Sequence, residues 1–195
     1  MIDGTAVGVS DGSYFPIEEV GSCGWIIATP DGSEWIEGGG VIPGLQSDQN
    51  SYRSELGGQL GIAAFISSIQ LPPGEYTLRT VCDGLSALKQ VGKEKQYIRC
   101  SSKHIDMIAI ITDLWDKSKF TFVREHVFAH QDDLARPLSM LEKLNCRMDT
   151  LAKEIAREEM ILPQVHTLLR NSVGLGSITC DKTIIASRIQ HSIYT

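Results

Sequence analysis

Four acidic residues and one histidine lie where predicted strands or helices begin or end, and this placement constrains how the chain can fold. The five residues are Asp11, Glu55, Asp83, His130 and Asp149. Converging carboxylates repel one another, so a fold that gathers them needs divalent cations to neutralise their charge. Oxygen ligands without thiolates suit Mg²⁺ or Mn²⁺. If the fold brings these side chains together, the set predicts a metal-dependent enzyme that acts on phosphodiesters.

The chain is acidic overall, but its charge is unevenly distributed. Its 195 residues carry a net charge of −6, and Arg53 is the one basic residue among the first 75. The most basic stretch runs from Lys89 to Lys103. The overall charge argues against a protein that coats nucleic acid, whereas a local basic surface can still bind phosphates.

The cysteines give no sign of a zinc site or of a disulfide framework. There are five of them, scattered along the chain, and no C-x-x-C pair occurs. This usage is typical of a reduced intracellular protein. The sequence also shows no signal-peptide pattern and no apolar run long enough to span a bilayer. We therefore expect an intracellular protein, cytoplasmic or nuclear, that is not secreted and has no membrane partner.

Hydrophobic periodicity and turn residues predict five strands and four helices. The predicted strands are Ala6–Val9, Gly24–Thr29, Glu34–Ile42, Tyr76–Cys82 and Phe120–Phe128. The predicted helices are Gln49–Ile69, Leu85–Val91, His104–Asp116 and Asn145–Met160. This order predicts an α/β fold with a five-stranded mixed sheet, in which three antiparallel strands are followed by parallel strands, with helices on both faces. Strands one and four then lie side by side, so Asp11 and Asp83 meet at the carboxyl ends where sites form in open α/β sheets.

The local sequences around the five residues resemble ribonuclease H type 1, and most closely its retroelement-type members. The matching segments are Asp11-Gly12-Ser13, Ser51-Tyr52-Arg53-Ser54-Glu55, Phe128-Ala129-His130 and Asn145-Cys146-Arg147-Met148-Asp149. They look like the family's D-G-S, S-x-R-x-E, K-G-H and N-x-x-x-D segments, in the family's order. The resemblance covers roughly residues 5–160. One such segment means little, but five residues in order on the expected elements are a strong signal.

The resemblance implies an endonuclease that hydrolyses the RNA strand of RNA/DNA hybrids with two Mg²⁺ ions, for which Mn²⁺ can substitute. It implies four metal ligands: Asp11, Glu55, Asp83 and Asp149. Asp11 would bridge both ions, Asp83 would share this work, and Glu55 and Asp149 would each favour one ion. His130 would assist proton transfer or product release from a mobile loop, with His126 as a rival within the predicted strand.

The resemblance also implies a set of substrate-binding residues. Ser13, Ser51, Tyr52 and Arg53 would line the minor groove, where the 2′-hydroxyl distinguishes RNA. Lys93, Lys95 and Arg99 would correspond to the basic handle that grips the DNA strand in some members. The competing interpretations are a turn serine, a helix cap, a partly buried aromatic residue and a solvated loop.

Three features depart from the family pattern. The loop after His130 is expected to be enlarged by residues Leu134–Lys143, Gly84 follows Asp83 where many members have serine or asparagine, and residues 161–195 lie beyond the family core. We divide the chain into a catalytic domain, 1–162, and a C-terminal extension, 163–195. The extension either packs on the core or leads toward another domain of a longer retroelement polyprotein.

Two alternatives to the hybrid nuclease remain open from the sequence. One is a catalytically inactive hybrid-binding module on the same fold, which the intact set of four acids argues against. The other is a different nuclease of the same superfold, such as an exonuclease or a junction resolvase, since a fold alone does not decide function.

Overall fold

The structure is a computed structural model that describes residues 5–92, 102–128 and 136–161, together with 179–180 and 183–184. Its strands are β1 (Thr5–Phe15), β2 (Val20–Ala28), β3 (Trp35–Val41), β4 (Tyr76–Cys82), β5 (Phe120–His126), β6 (Thr179–Cys180) and β7 (Thr183–Ile184). Its helices are α1 (Ser51–Ser68), α2 (Leu85–Val91), α3 (Ile105–Lys117) and α4 (Met140–Ile161), preceded by a single 3₁₀ turn at Gln46–Asp48.

The main sheet has the strand order β3-β2-β1-β4-β5. Strands β1, β2 and β3 pair antiparallel, whereas β4 runs parallel to both β1 and β5. The predicted fold class, a mixed five-stranded sheet with helices, is therefore confirmed. Strands β6 and β7 form a separate antiparallel pair within the C-terminal extension.

The helices cover the two faces of the sheet unequally. Helices α1, α2 and α3 share one apolar core, in which Ile62 of α1, Leu78 of β4 and Ile108 of α3 are fully buried. Helix α4 packs on the other face, where Met148 contacts a second core that includes Val9 and Val81. Because α1 and α4 lie on opposite faces, an acidic residue from each can reach the same edge of the sheet from opposite sides.

Two boundaries differ from the prediction at places that matter for the site. Asp11 lies within β1 rather than at its end, since β1 continues to Phe15 along β2. Helix α4 begins at Met140 rather than Asn145. Residues 140–143, the last four of the expected loop enlargement Leu134–Lys143, are therefore helical.

A capping box explains the early start of α4. The Ser139 backbone N–H donates to Glu142 Oε2 at 2.7 Å, and the Glu142 N–H donates to Ser139 Oγ at 3.3 Å. Arg136 also forms an ion pair with Glu142. These reciprocal bonds satisfy backbone donors that a helix start leaves unpaired. The S-x-x-E pattern at Ser139-Met140-Leu141-Glu142 was readable in the sequence, and the prediction missed it.

Among the residues that the structure describes, no helix combines the length and the apolar character that crossing a membrane requires.

We expect Ser139→Ala to lower the free energy of unfolding by about 1 kcal/mol, because it removes the side-chain half of the capping box. Urea unfolding followed by circular dichroism measures this change. Ser86→Ala, at an exposed position in α2, serves as the control and should change stability by less than about 0.5 kcal/mol. Equal effects of the two substitutions would contradict the capping role.

Candidate active site

The strand register aligns Asp11 with Asp83. The last parallel pair between β1 and β4 joins Val9 and Val81, and each aspartate lies two residues further on, Asp11 within β1 and Asp83 directly after the end of β4. Side chains alternate along a strand, so both aspartates project toward the same side as these two valines. That side is the one that α4 covers.

Glu55 reaches the same place from α1 because Gly12 has no side chain. A Cβ at Gly12 would lie 2.4 Å from the Ser54 carbonyl carbon and 2.5 Å from the Glu55 nitrogen. The Ser54 hydroxyl also donates to the Ser13 carbonyl at 2.9 Å. The first turns of α1 are thus held directly against β1. The helix cap is Asn50, whose Oδ1 accepts from the Arg53 N–H at 3.0 Å.

Helix α4 supplies the fourth acidic residue, Asp149, and two neighbours that the sequence prediction did not include. Asn145 donates from Nδ2 to Asp11 Oδ2 at 3.3 Å. Lys153 forms an ion pair with Asp149, with Nζ 2.7 Å from Oδ2. The spacing of Asn145, Asp149 and Lys153 is one helical turn at each step, so all three lie on one face of α4. This i, i+4, i+8 pattern was the signal that could have identified them.

All four predicted acidic residues line one open cleft of about 190 Å³. The remaining lining residues are Gly12, Ser13, Tyr14, Asn145, Cys146 and Lys153. The structure therefore brings Asp11, Glu55, Asp83 and Asp149 together as the sequence predicted, although they come from four separate elements.

The convergence raises the pKa values of the buried acids. Burial, followed by the charges of Glu55, Asp83 and Asp149, raises the pKa of Asp11 from 3.8 to about 9. Burial and the charge of Asp83 raise the pKa of Glu55 from 4.5 to about 8. Each carboxylate therefore makes its neighbours harder to ionise.

The donor set fits a hard divalent cation. Carboxylate oxygens are the ligands that Mg²⁺ and Mn²⁺ prefer, and a cation would remove the repulsion that raises these pKa values. Ligand atoms of Glu55, Cys82 and Asp83 lie within 4.8 Å of one another. Cys82 was not among the predicted site residues, because its scattered position in the sequence gave no sign of a role.

The residues predicted to contact the minor groove of the substrate differ in their exposure and contacts. Ser13 lines the cleft, Ser51 is exposed at the first position of α1, and Tyr52 is half-buried. The Tyr52 ring lies against the ring of His104, with 5.8 Å between the ring centres. Of these three residues, Ser51 is the exposed one, whereas Ser13 lines the cleft with most of its surface buried.

Arg53 does not line the cleft, and the prediction that it contacts the substrate is wrong. Its side chain is fully buried and forms an ion pair with Asp106 of α3, with Nη2 2.6 Å from Oδ2. It also donates to the Pro43 carbonyl from Nε and Nη2, at 3.0 and 2.7 Å. A third group, Nη1, lies 3.0 Å from His104 Nδ1, which must accept because a guanidinium only donates. Arg53 therefore joins the start of α1 to the start of α3.

Four predicted site residues lie outside the described residues: Lys93, Lys95, Arg99 and His130. The rival histidine, His126, ends β5, and its Nε2 lies 3.0 Å from the Asp83 carbonyl oxygen. This contact places an imidazole on the backbone of a predicted metal ligand.

Solved structures with the same architecture are ribonuclease H domains. The N-terminal ribonuclease H domain of Rv2228c from Mycobacterium tuberculosis, solved as a fusion with maltose-binding protein, is 16% identical with a TM-score of 0.55, covering 82% of this chain and 98% of that chain. Ribonuclease H1 from Halobacterium salinarum is 17% identical with a TM-score of 0.52, covering 80% and 99%. LC11 ribonuclease H1, solved with an RNA/DNA hybrid, is 14% identical with a TM-score of 0.55, covering 80% and 99%.

The chain has the ribonuclease H fold. The likeness is structural, since identities of 14–17% show the fold alone. No protein-family model and no curated protein sequence matches the chain significantly. On this fold, the four acidic residues occupy one cleft formed by β1, α1, α4 and the residue that follows β4.

The acidic cluster should make the cation-free protein less stable as the pH rises. An aspartate has a pKa near 3.9 in an unfolded chain, and the folded value for Asp11 is about 9. The folded state thus holds more protons than the unfolded state between about pH 4 and pH 9, so the free energy of unfolding falls as pH rises through that window. Melting temperatures measured in chelator across this range test the slope.

Asp11→Asn should flatten this dependence, because an amide does not ionise. Glu154→Gln, at an exposed position on α4, is the matched control and should keep the wild-type slope. An unchanged slope in Asp11→Asn would show that Asp11 does not carry the effect.

The buried ion pair of Arg53 predicts a large loss of stability on substitution. Arg53→Met should lower the free energy of unfolding by about 3–5 kcal/mol, because it leaves Asp106 uncompensated. The control is Arg79→Met, which breaks a more exposed ion pair with Glu125 and should cost less than about 1 kcal/mol. Urea unfolding of both variants measures the difference, and similar losses would argue against a structural role for Arg53.

Proposed function

We propose that the chain is a ribonuclease H: an endonuclease that hydrolyses the RNA strand of RNA/DNA hybrids. One observation carries the proposal, namely that four acidic residues converge in a single open cleft on the ribonuclease H fold. A neighbour with this fold was solved with an RNA/DNA hybrid, which supports the same class of substrate here.

The proposed cofactors are two Mg²⁺ ions, for which Mn²⁺ can substitute. When bound, such ions activate a water for in-line attack on phosphorus and stabilise the leaving 3′ oxygen. Asp11 is suited to contact both, because the charges of Glu55, Asp83 and Asp149 all act on it. Glu55 and Asp149 approach from opposite faces of the sheet, so each is suited to one ion.

The neighbouring side chains hold these acids in place. Asn145 orients Asp11 through its amide, and Lys153 holds Asp149 while partly neutralising the cleft. For a polyanionic substrate, an acidic cleft is repulsive until cations bind, so cations should bind before the phosphate enters.

The substrate contacts complete the proposal. Ser13, Ser51 and Tyr52 would line the minor groove of the hybrid, where the 2′-hydroxyls distinguish RNA. Lys93, Lys95 and Arg99 would bind the DNA strand, and His130 would assist proton transfer or product release. An intracellular location, the boundary at residue 162 and a place in a longer retroelement polyprotein stay predictions from the sequence.

The decisive experiment is cleavage of an end-labelled RNA/DNA hybrid with Mg²⁺, with Mn²⁺ and with chelator. Wild-type protein should cut the RNA strand only with a cation. Asp11→Asn and Asp83→Asn should each reduce the rate at least about 100-fold, because they remove metal ligands. Glu154→Gln, which changes an exposed acid on the same helix as Asp149, should cut like the wild type.

The same assay separates the alternatives. Binding of the hybrid without cleavage in either cation would favour an inactive binding module. Cleavage of duplex DNA or of a branched DNA junction in preference to the hybrid would indicate another nuclease of the same fold.

A further inference from the structure

Cys82 is a buried residue that does not line the cleft but contacts Glu55, which does, and the proposed chemistry does not use it. It is the last residue of β4, directly before Asp83, and its side chain is fully buried. Successive residues of a strand face opposite sides of the sheet, so Cys82 faces the α1 side. There its sulfur lies beside Glu55, the one acidic ligand that α1 supplies.

The thiol makes two directed contacts. Its Sγ donates to Glu55 Oε2 at 3.0 Å and accepts from the Gly84 backbone N–H at 3.2 Å. A thiol has one hydrogen, and Cys82 donates it in a hydrogen bond to the carboxylate oxygen. The Gly84 amide fixes the sulfur from the other side, so the thiol hydrogen is directed at Glu55.

Gly84 also leaves the space in which the Glu55 side chain lies. A Cβ at Gly84 would lie 2.8 Å from Glu55 Cγ and 3.0 Å from Cδ. A larger residue here would require the Glu55 side chain to shift. The pair Cys82 and Gly84 therefore constrains both the direction and the position of Glu55.

We propose that Cys82 is a positioning residue, whose thiol hydrogen bond holds the Glu55 carboxylate in the orientation that binds a cation. This inference rests on the proposed function, in which Glu55 is a metal ligand. A glutamate side chain has three rotatable bonds, and holding it in one conformation before the cation arrives reduces the entropic cost of binding. Groups that hydrogen-bond to metal ligands commonly control metal affinity in this way.

The test measures Mn²⁺ binding to the cation-free full chain by isothermal titration calorimetry, independently of cleavage. Cys82→Ala removes the donor and should weaken binding about 10-fold. Cys82→Ser keeps a donor at this position and should stay within about 3-fold of the wild type. Cys23→Ala is the matched control: Cys23 is a buried cysteine of β2, so its loss tests the removal of a core thiol alone and should leave Mn²⁺ affinity unchanged.

Melting temperatures of the three variants separate positioning from stability. Cys82→Ala and Cys23→Ala should both melt lower than the wild type, whereas only Cys82→Ala should lose affinity. Equal Mn²⁺ affinity in Cys82→Ala and the wild type would overturn the positioning role of Cys82 but leave the proposed cation site standing. An equal loss of Mn²⁺ affinity in Cys82→Ser and Cys82→Ala would have the same meaning. Failure of the wild type to bind Mn²⁺ would overturn the proposed cation site and this inference with it.

Discussion

The close approach of α1 to β1 at Gly12 is the contact on which the acidic cleft depends. The helix backbone at Ser54 and Glu55 occupies the space that a side chain at residue 12 would need. Asp11 directly precedes this glycine, and Gly12 donates its N–H to Asp11 Oδ1 at 2.7 Å. Gly12 thus leaves room for the helix that carries Glu55 and orients Asp11 on the strand. Backbone packing at Gly12 therefore sets the position of α1. Repulsion between the carboxylates would by itself push α1 away from β1.

The remaining elements hold this arrangement in place from a distance. Arg53, two residues before Glu55, ties the start of α1 to Asp106 in the first turn of α3. On the other face, the Ser22 hydroxyl of β2 donates to the Ala152 carbonyl of α4 at 2.6 Å. The first contact joins the helix that carries Glu55 to α3, and the second holds the helix that carries Asp149 against the sheet. Three of the four acidic residues thus lie on regular elements that are fixed by packing.

The sequence was sufficient to predict the sheet topology and the convergence of the four acidic residues, because local patterns and the family resemblance both indicate them. Strand alternation, turn residues and short motifs place each acid on its element, and strand order then brings Asp11 and Asp83 together. The role of Arg53 was not readable in this way, since its partner Asp106 is distant in the sequence and the S-x-R-x-E motif gives no sign of burial. Cys82 was missed for a related reason. Its contact with Glu55 exists only once β4 and α1 are packed side by side.

Arg53 and Glu55 show that two charged residues of one helix can have opposite electrostatic environments. Both lie near the start of α1. The guanidinium of Arg53 is surrounded by acceptors from Pro43, Asp106 and His104, so its burial is compensated within the chain. Such a group stabilises the fold, and its charge is compensated without a ligand.

Glu55 has the opposite environment. Its nearest charged neighbours are acids, and burial together with the charge of Asp83 raises its pKa to about 8. A fold gains nothing from converging buried carboxylates, because each one disfavours ionisation of the next. Perturbed acids of this kind in an open cleft are typical of sites whose missing charge comes from a ligand. The physical contrast between two residues of one helical turn is therefore the strongest argument that the cleft binds cations.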